Sequence, residues 1–179
     1  MPTDSEIDYP HQYESRLTLD GGEEVFLRPI RQSDGDLLSD LVGKMSSRSL
    51  YLRFLWWLNA IPEDMLYRFT HVNYKDDFAI VAVIEEDGKE AIVAVGRYIY
   101  DPGIDQTDLA VTVRDDWQHH GLGKYLLAKT VAIAKEHGIS HFKTMMDPGN
   151  KAMMRIFLEL GYKVNYTFQD GTLEVSITA

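Results

Sequence analysis

DLAVTVRDDWQHHGLGKYLL, residues 108–127, joins an alternating strand to a helix through a glycine-bearing loop. In 108–113, Leu109, Val111 and Val113 alternate with Asp108, Ala110 and Thr112, so a strand here presents the two sets on opposite faces. Arg114-Asp115-Asp116-Trp117 closes the run, and Gln118-His119-His120-Gly121-Leu122-Gly123-Lys124 opens a helix. Glycines let the backbone come close to a ligand with no Cβ in the way. The free N–H groups of a first helical turn, at the positive end of the helix dipole, make an anion site. Phosphate is the expected guest. A P-loop is excluded, because Gln118 stands at its first glycine and Tyr125 follows Lys124 where serine or threonine is required. A dinucleotide fingerprint is excluded too, because Leu126 replaces its third glycine and Lys143 stands where an acid is needed.

The flanking sequence builds a sheet covered by helices. Residues 24–30 (EVFLRPI) read as a first strand, ended by Pro29. Ser33 and Asp34 cap a helix reaching about Met45, with further helices expected over 49–59 and from Pro62 towards Phe69. Residues 78–85 and 91–100 are β-rich runs joined by the hairpin signal Glu86-Asp87-Gly88-Lys89. A long amphipathic helix runs from Gly121 to His137 and stops at Gly138, then 139–146 is a strand. Met153, Ile156, Phe157 and Leu160 give 150–160 an apolar helical stripe, and a hairpin over Gln169-Asp170-Gly171 closes the chain. The expectation is an α/β (α+β) fold with a twisted, mixed, largely antiparallel sheet, a central right-handed parallel βαβ crossover and flanking helices. Residues 1–20 read as a polar arm and 21–179 as one domain, the size a 179-residue chain favours.

Composition narrows the function classes. Acidic residues outnumber basic ones, 28 to 18, for a formal charge of −10, which disfavours nucleic acid and suits an amine-bearing partner. Without cysteine, disulfides, thiolate metal sites and a cysteine nucleophile are excluded. No apolar run reaches the ~18 residues of a membrane helix, and the acidic start is unlike a signal peptide. A cytoplasmic protein with no membrane partner is expected. His119 and His120 are adjacent, point apart on a helix and lack a further ligand pattern, so they read as phosphate-loop or surface residues and no metal is expected.

Gln118 to Gly123 matches [QR]-x-x-G-x-[GA], the pyrophosphate-binding signature of GNAT acetyltransferases. The segment 150–162, with Asn150, Gly161 and Tyr162 in register, resembles that family's N-x-x-A-x-x-L-Y-x-x-x-G-F helix. Ser46-Ser47-Arg48-Ser49-Leu50-Tyr51-Leu52-Arg53-Phe54 is similar to a stretch of the bacterial protein-lysine acetyltransferases that act on acyl-CoA synthetases. The resemblance implies acetyl-CoA as cosubstrate, with pantetheine along Val111-Thr112-Val113 and the pyrophosphate on His119, His120, Gly121, Leu122, Gly123 and Lys124. Gln118, Asn150 and Phe157 complete the expected cofactor contacts. The acceptor it implies is a primary amine, on a small molecule or a protein lysine, and a homodimer is one expected assembly.

Asp108 stands where the resembling lysine acetyltransferases carry a glutamate general base, one methylene longer. Its competing reading is a strand-end aspartate held in a turn or ion pair. Phe157 stands where many of the family have the tyrosine that protonates the leaving thiolate, so it is expected to pack instead. Asp115 and Asp116 read as turn and cap residues. Tyr51, Trp56 and Trp57 read as core rather than as walls of an acceptor site, and Met145, Met146, Met153 and Met154 as packing. A catalytically silent acyl-CoA-binding sensor is the alternative function that the Phe157 and Asp108 departures keep open.

Overall fold

The computed structural model describes residues 7–179. The first six residues of the expected arm lie outside that range. The strands are β1 (Ser15–Thr18), β2 (Glu24–Pro29), β3 (Asp77–Glu86), β4 (Lys89–Asp101), β5 (Gln106–Val113), β6 (His141–Met146), β7 (Lys163–Gln169) and β8 (Thr172–Thr178). The helices are α1 (Gly35–Gly43), α2 (Ser47–Phe54), α3 (Glu63–Thr70), α4 (Leu122–Glu136) and α5 (Lys151–Glu159). Among the described residues no helix is long and apolar enough to cross a membrane.

The strands form two sheets, ordered β1-β2-β3-β4-β5 and β6-β8-β7. Every ladder is antiparallel. β5 and β6 flank the α4 crossover yet share no ladder. Their N-terminal ends line one open groove, with Gln106 and Thr107 of β5 beside Phe142 and Lys143 of β6. The crossover therefore brings the strands side by side at their starts and leaves the facing edges unpaired.

Strand alternation in β5 follows the sequence. Leu109 is buried, with Val111 and Val113 packed beside it, in the cluster that holds Leu122, Leu126 and Leu127 of α4. Ala110 and Thr112 face the other way, into a cleft against α1 and α3. A second cluster under α1 joins Ile30, Leu38 and Leu41 to Val81, Ile92 and Val95 of the sheet.

Helix α4 lies directly on β4 at Gly96, which pairs with Val111 across the ladder. A Cβ at Gly96 would stand 2.3 Å from Thr130 Oγ1 and 3.2 Å from the Leu126 carbonyl oxygen. Relieving the overlap means moving the helix, and overpacking of this kind costs about 1–3 kcal/mol. Gly96→Ala is expected to lower the thermal midpoint by several degrees, with Thr130→Ala restoring only part, because the Leu126 carbonyl remains. A variant melting with the parent would show that α4 can lift off the sheet freely.

Four readings need correction. Ser15–Thr18, expected within a polar arm, is a strand paired to β2, in which half-buried Ser15 and Leu17 alternate with exposed Arg16 and Thr18. The helix expected over 49–59 stops at Phe54, because Leu55 turns left-handed at φ 62° and its N–H closes on the Tyr51 carbonyl. Trp56 and Trp57 consequently leave the helix and stand 53% and 72% exposed, Trp57 stacked on Tyr51, rather than entering the core. Met146 is buried and Met153 and Met154 pack on the core, but Met145 is exposed.

Candidate functional site

The site is built where β5 ends and α4 begins. The Arg114 N–H donates to the Val93 carbonyl at 2.8 Å. Val93 is the extra residue at a bulge, where the β3–β4 register slips between Ala82 and Val83. Backbone groups alternate sides along an antiparallel strand. Those of Ala110 and Thr112 are therefore spent on β4, while those of Leu109, Val111 and Val113 point at the unladdered edge facing β6. Gln118 agrees with this parity, since its Nε2 donates to the Val113 carbonyl from that side at 3.0 Å.

Past the turn at Asp115–Trp117 the chain bends through His119 (φ 65°) and Gly121 (φ 81°) into α4. Among the described residues, the N–H groups of 119–124 find no backbone or side-chain acceptor, and the next one, Tyr125 N–H, bonds the Gly121 carbonyl. They gather at the positive end of a 15-residue helix. Gly123 is needed for closeness, since a Cβ there would meet Val113 Cγ2 at 3.3 Å and Ile156 Cδ1 at 3.7 Å. An anion held here would be bound by backbone, with no obligatory basic side chain.

Side chains around the loop brace it. Ser46 caps α2 and, with Ser49, donates to Asp115, whose carboxylate takes Ser46 N–H, Ser46 Oγ and Ser49 Oγ at 2.9, 2.7 and 2.9 Å. Burial pulls the Asp115 carboxyl upward, but these bonds prevail and hold it below its usual value. Gln118 Nε2 also reaches Ser49 Oγ at 3.3 Å. Thus the Ser46–Ser49 start of α2 is pinned to the loop, a function for that stretch that the sequence alone does not reveal.

Arg114, nearly buried, makes paired bonds to Asp116 and to Glu86, and Glu86 also takes Lys44 at 2.7 Å. Hydrogen bonds from Arg114 first and Lys44 second hold the Glu86 carboxyl down at about 2, against its ordinary 4.5. A depressed folded value stabilises above the unfolded value, so this contribution is complete above about pH 4.5 and fades as pH falls through about 2. Glu86→Gln is expected to flatten the acid side of the melting-temperature profile between those limits. A profile unchanged by the substitution would contradict the pairing.

The expected site residues divide in two. Val111 and Val113, and the backbone of His119, His120, Gly121, Leu122, Gly123 and Lys124, gather round the splayed edge, whereas Thr112 turns its backbone to β4 and its side chain into the cleft on the other face. Four side chains are used inside the protein: Gln118 as described, Asn150 capping α5 through Met153 N–H at 3.2 Å, Lys124 paired to Glu159 at 3.0 Å, and Phe157 buried at 1% exposure. His120 Nδ1 lies 3.6 Å from Glu23, and His119 is exposed. Asp108 is exposed on the opposite face of β5 from Val111, opposite Ile99 in register.

Beside Asp108 on that face is a narrow cleft, lined by Ala110 and Thr112 of β5, Val95 and Arg97 of β4, and Arg53 and Phe54 of α2. Arg97 is buried, bonded to Asp77 at 3.0 Å, and lies 4.2 Å from the Phe69 ring centre. Sequence reasoning missed both arginines as pocket residues. The signal available was an arginine inside the otherwise apolar strand 91–100.

Residues 47–162 match the model of the acetyltransferase (GNAT) family. The chain is 28% identical over 145 residues to Acetyltransferase PA5475 of Pseudomonas aeruginosa, covering 81% of this chain and 78% of that one. It is 29% identical over 141 residues to Acetyltransferase Pat of Mycolicibacterium smegmatis, covering 78% of this chain but only 41% of the relative. Among solved structures, the GNAT domain of S. lividans PAT superposes with a TM-score of 0.85 at 27% identity, covering 96% of this chain and 100% of that one.

Proposed function

The chain belongs to the GNAT acetyltransferase family, and from that premise we propose that it transfers an acetyl group from acetyl-CoA directly to a primary amine. The observation that carries the reading is the run of acceptor-less N–H groups over 119–124 at the end of a strand whose outward edge is free. In this reading the pyrophosphate lies on that run and pantetheine extends along Val111–Val113, completing the unpaired edge of β5. Gln118, Asn150 and Phe157 shape the site from behind, and the Lys124 ammonium stays with Glu159.

The thioester carbonyl is polarised by the outward-facing Val111 N–H, which holds the oxyanion of the tetrahedral intermediate. The amine lone pair attacks the carbonyl carbon, the C–N bond forms and the C–S bond breaks. Asp108, directly or through a water, takes the amine proton. A thiol ordinarily titrates near 8.5. The leaving thiolate therefore departs without a protein acid and draws its proton from solvent, which is consistent with a buried phenylalanine at 157. Holding amine and thioester together supplies much of the rate.

The acceptor amine belongs to a small molecule or a protein lysine, and the cytoplasm is the proposed setting. The test is release of free thiol from acetyl-CoA with a mixed panel of amines. Amine-dependent release supports the enzyme. Acetyl-CoA binding without release on any amine would favour the silent sensor.

A further inference from the structure

Arg53 is the feature of the cleft that acetyl transfer to an amine leaves without a task. It projects from α2 into the cleft, and among the described residues it has neither an ion pair nor a hydrogen bond. Its recorded partner is the Phe54 ring, 4.9 Å away. It reaches solvent only in part, and otherwise sits among protein atoms. Burial, the dominant influence, pushes its guanidinium down to about 10, with the Asp108 charge opposing and Arg97 adding to the shift.

Arg97 lines the same cleft, and its buried Nε has no hydrogen-bond partner among the described residues. Among the described residues no acidic side chain lines the cleft itself. Asp77 takes up the Arg97 charge at 3.0 Å and Asp108 stands beside the cleft, so Arg53 is the lining cation left without an ion pair among the described residues. The remaining lining is apolar, with Leu41, Ile61 and Phe69 among it, so an anion entering would meet the guanidinium where competition from water is weak. An unpaired buried cation is costly, and a fork of donors matches a carboxylate.

We propose that this cleft is a carboxylate site, in which Arg53, backed by Arg97, holds the carboxylate of a reactant while the reaction proceeds at Asp108 and Val111. The inference rests on the acyl-transfer reading and narrows its substrate class. The carboxylate belongs either to the acceptor, as in an amino acid, or to the acyl group, as in a dicarboxylic acyl-CoA. Arg53 is here a specificity-determining residue.

The test is calorimetric titration of the full chain with matched acid and neutral twins. For the donor source the pair is succinyl-CoA and butyryl-CoA. For the acceptor source it is N-acetyl-alanine and N-acetyl-alanine amide, each added to the CoA complex. A charge-assisted hydrogen bond predicts that the acid binds at least about tenfold tighter than its twin in one arm. That preference falls below about twofold in Arg53→Gln and survives in part in Arg53→Lys, while the affinity for acetyl-CoA is unchanged in both. The arm showing the preference identifies the source. Twins that bind alike in both arms of the parent chain overturn the proposal whether or not a variant folds, and so does a preference that Arg53→Gln retains. Failure of acetyl-CoA itself to bind is read separately, and strikes the acyl-transfer reading.

Discussion

Replacing Asp34 with alanine is expected to remove about 3–5 kcal/mol of folding stability, a large share of the total for a domain of this size. The reason lies in β2. Arg28 is fully buried, and its Nη1 and Nη2 bond Asp34 Oδ2 and Oδ1 at 2.7 and 2.8 Å. Asp34 is itself 2% exposed, and its Oδ2 also accepts the Arg31 N–H at 2.7 Å, which fixes the turn from β2 into α1. Burial works against the Arg28 charge, and the Asp34 carboxylate outweighs it. With Asp34 gone, the remaining acid is Glu90, 3.7 Å away and more than half exposed, too loose a partner to compensate a desolvated guanidinium. Urea unfolding measures the loss directly. The double variant Arg28→Met/Asp34→Leu is expected to recover most of it, because removing both charges removes the desolvation penalty together with the attraction. A single variant within 1 kcal/mol of the parent would contradict the account of this pair.

Asp108→Asn is expected to lower kcat by about 10²–10⁴ while leaving acetyl-CoA affinity unchanged. Asparagine keeps the shape of the side chain and cannot accept the amine proton. The residue lies across β5 from Val111, off the proposed pantetheine edge, so cofactor binding has no route by which to suffer. Asp108→Glu is expected to retain measurable turnover, since it restores a carboxylate one methylene longer. The split between kcat and acetyl-CoA affinity separates a base from a strut, since a structural loss would lower both. If Asp108→Asn turns over like the parent, the base lies elsewhere, and Asp108 is the strand-end residue of the competing reading.

How much of this was legible depended on whether the signal was local. The 108–127 stretch was readable because period-two alternation passes into helical spacing at a glycine-bearing loop, and α4, α5 and the β7–β8 hairpin follow from similarly local cues. The splay of β5 from β6 is a tertiary feature with no local signal, visible in the ladder missing between them. The exposed Trp56 and Trp57 were not readable, because a left-handed Leu55 is an unusual helix stop that composition does not announce. Arg28 and Arg97 looked like ordinary strand arginines. Their burial depends on Asp34 and on Asp77, 20 residues distant from Arg97, and such partners are set by tertiary folding. Gln118 and Asn150 were read as ligand contacts because the family motif contains them. The structure gives their side chains bonds to Val113, Ser49 and Met153, a bracing role that the motif by itself does not announce.

The most direct test of the central claim is calorimetric titration of acetyl-CoA into the purified chain, beside an acetylated pantetheine that lacks the pyrophosphate. Binding through the free N–H groups of 119–124 predicts saturable association with acetyl-CoA at one site per chain, and an affinity for the truncated thioester weaker by at least about a hundredfold. Equal affinity for the two, or no heat from either, would contradict it.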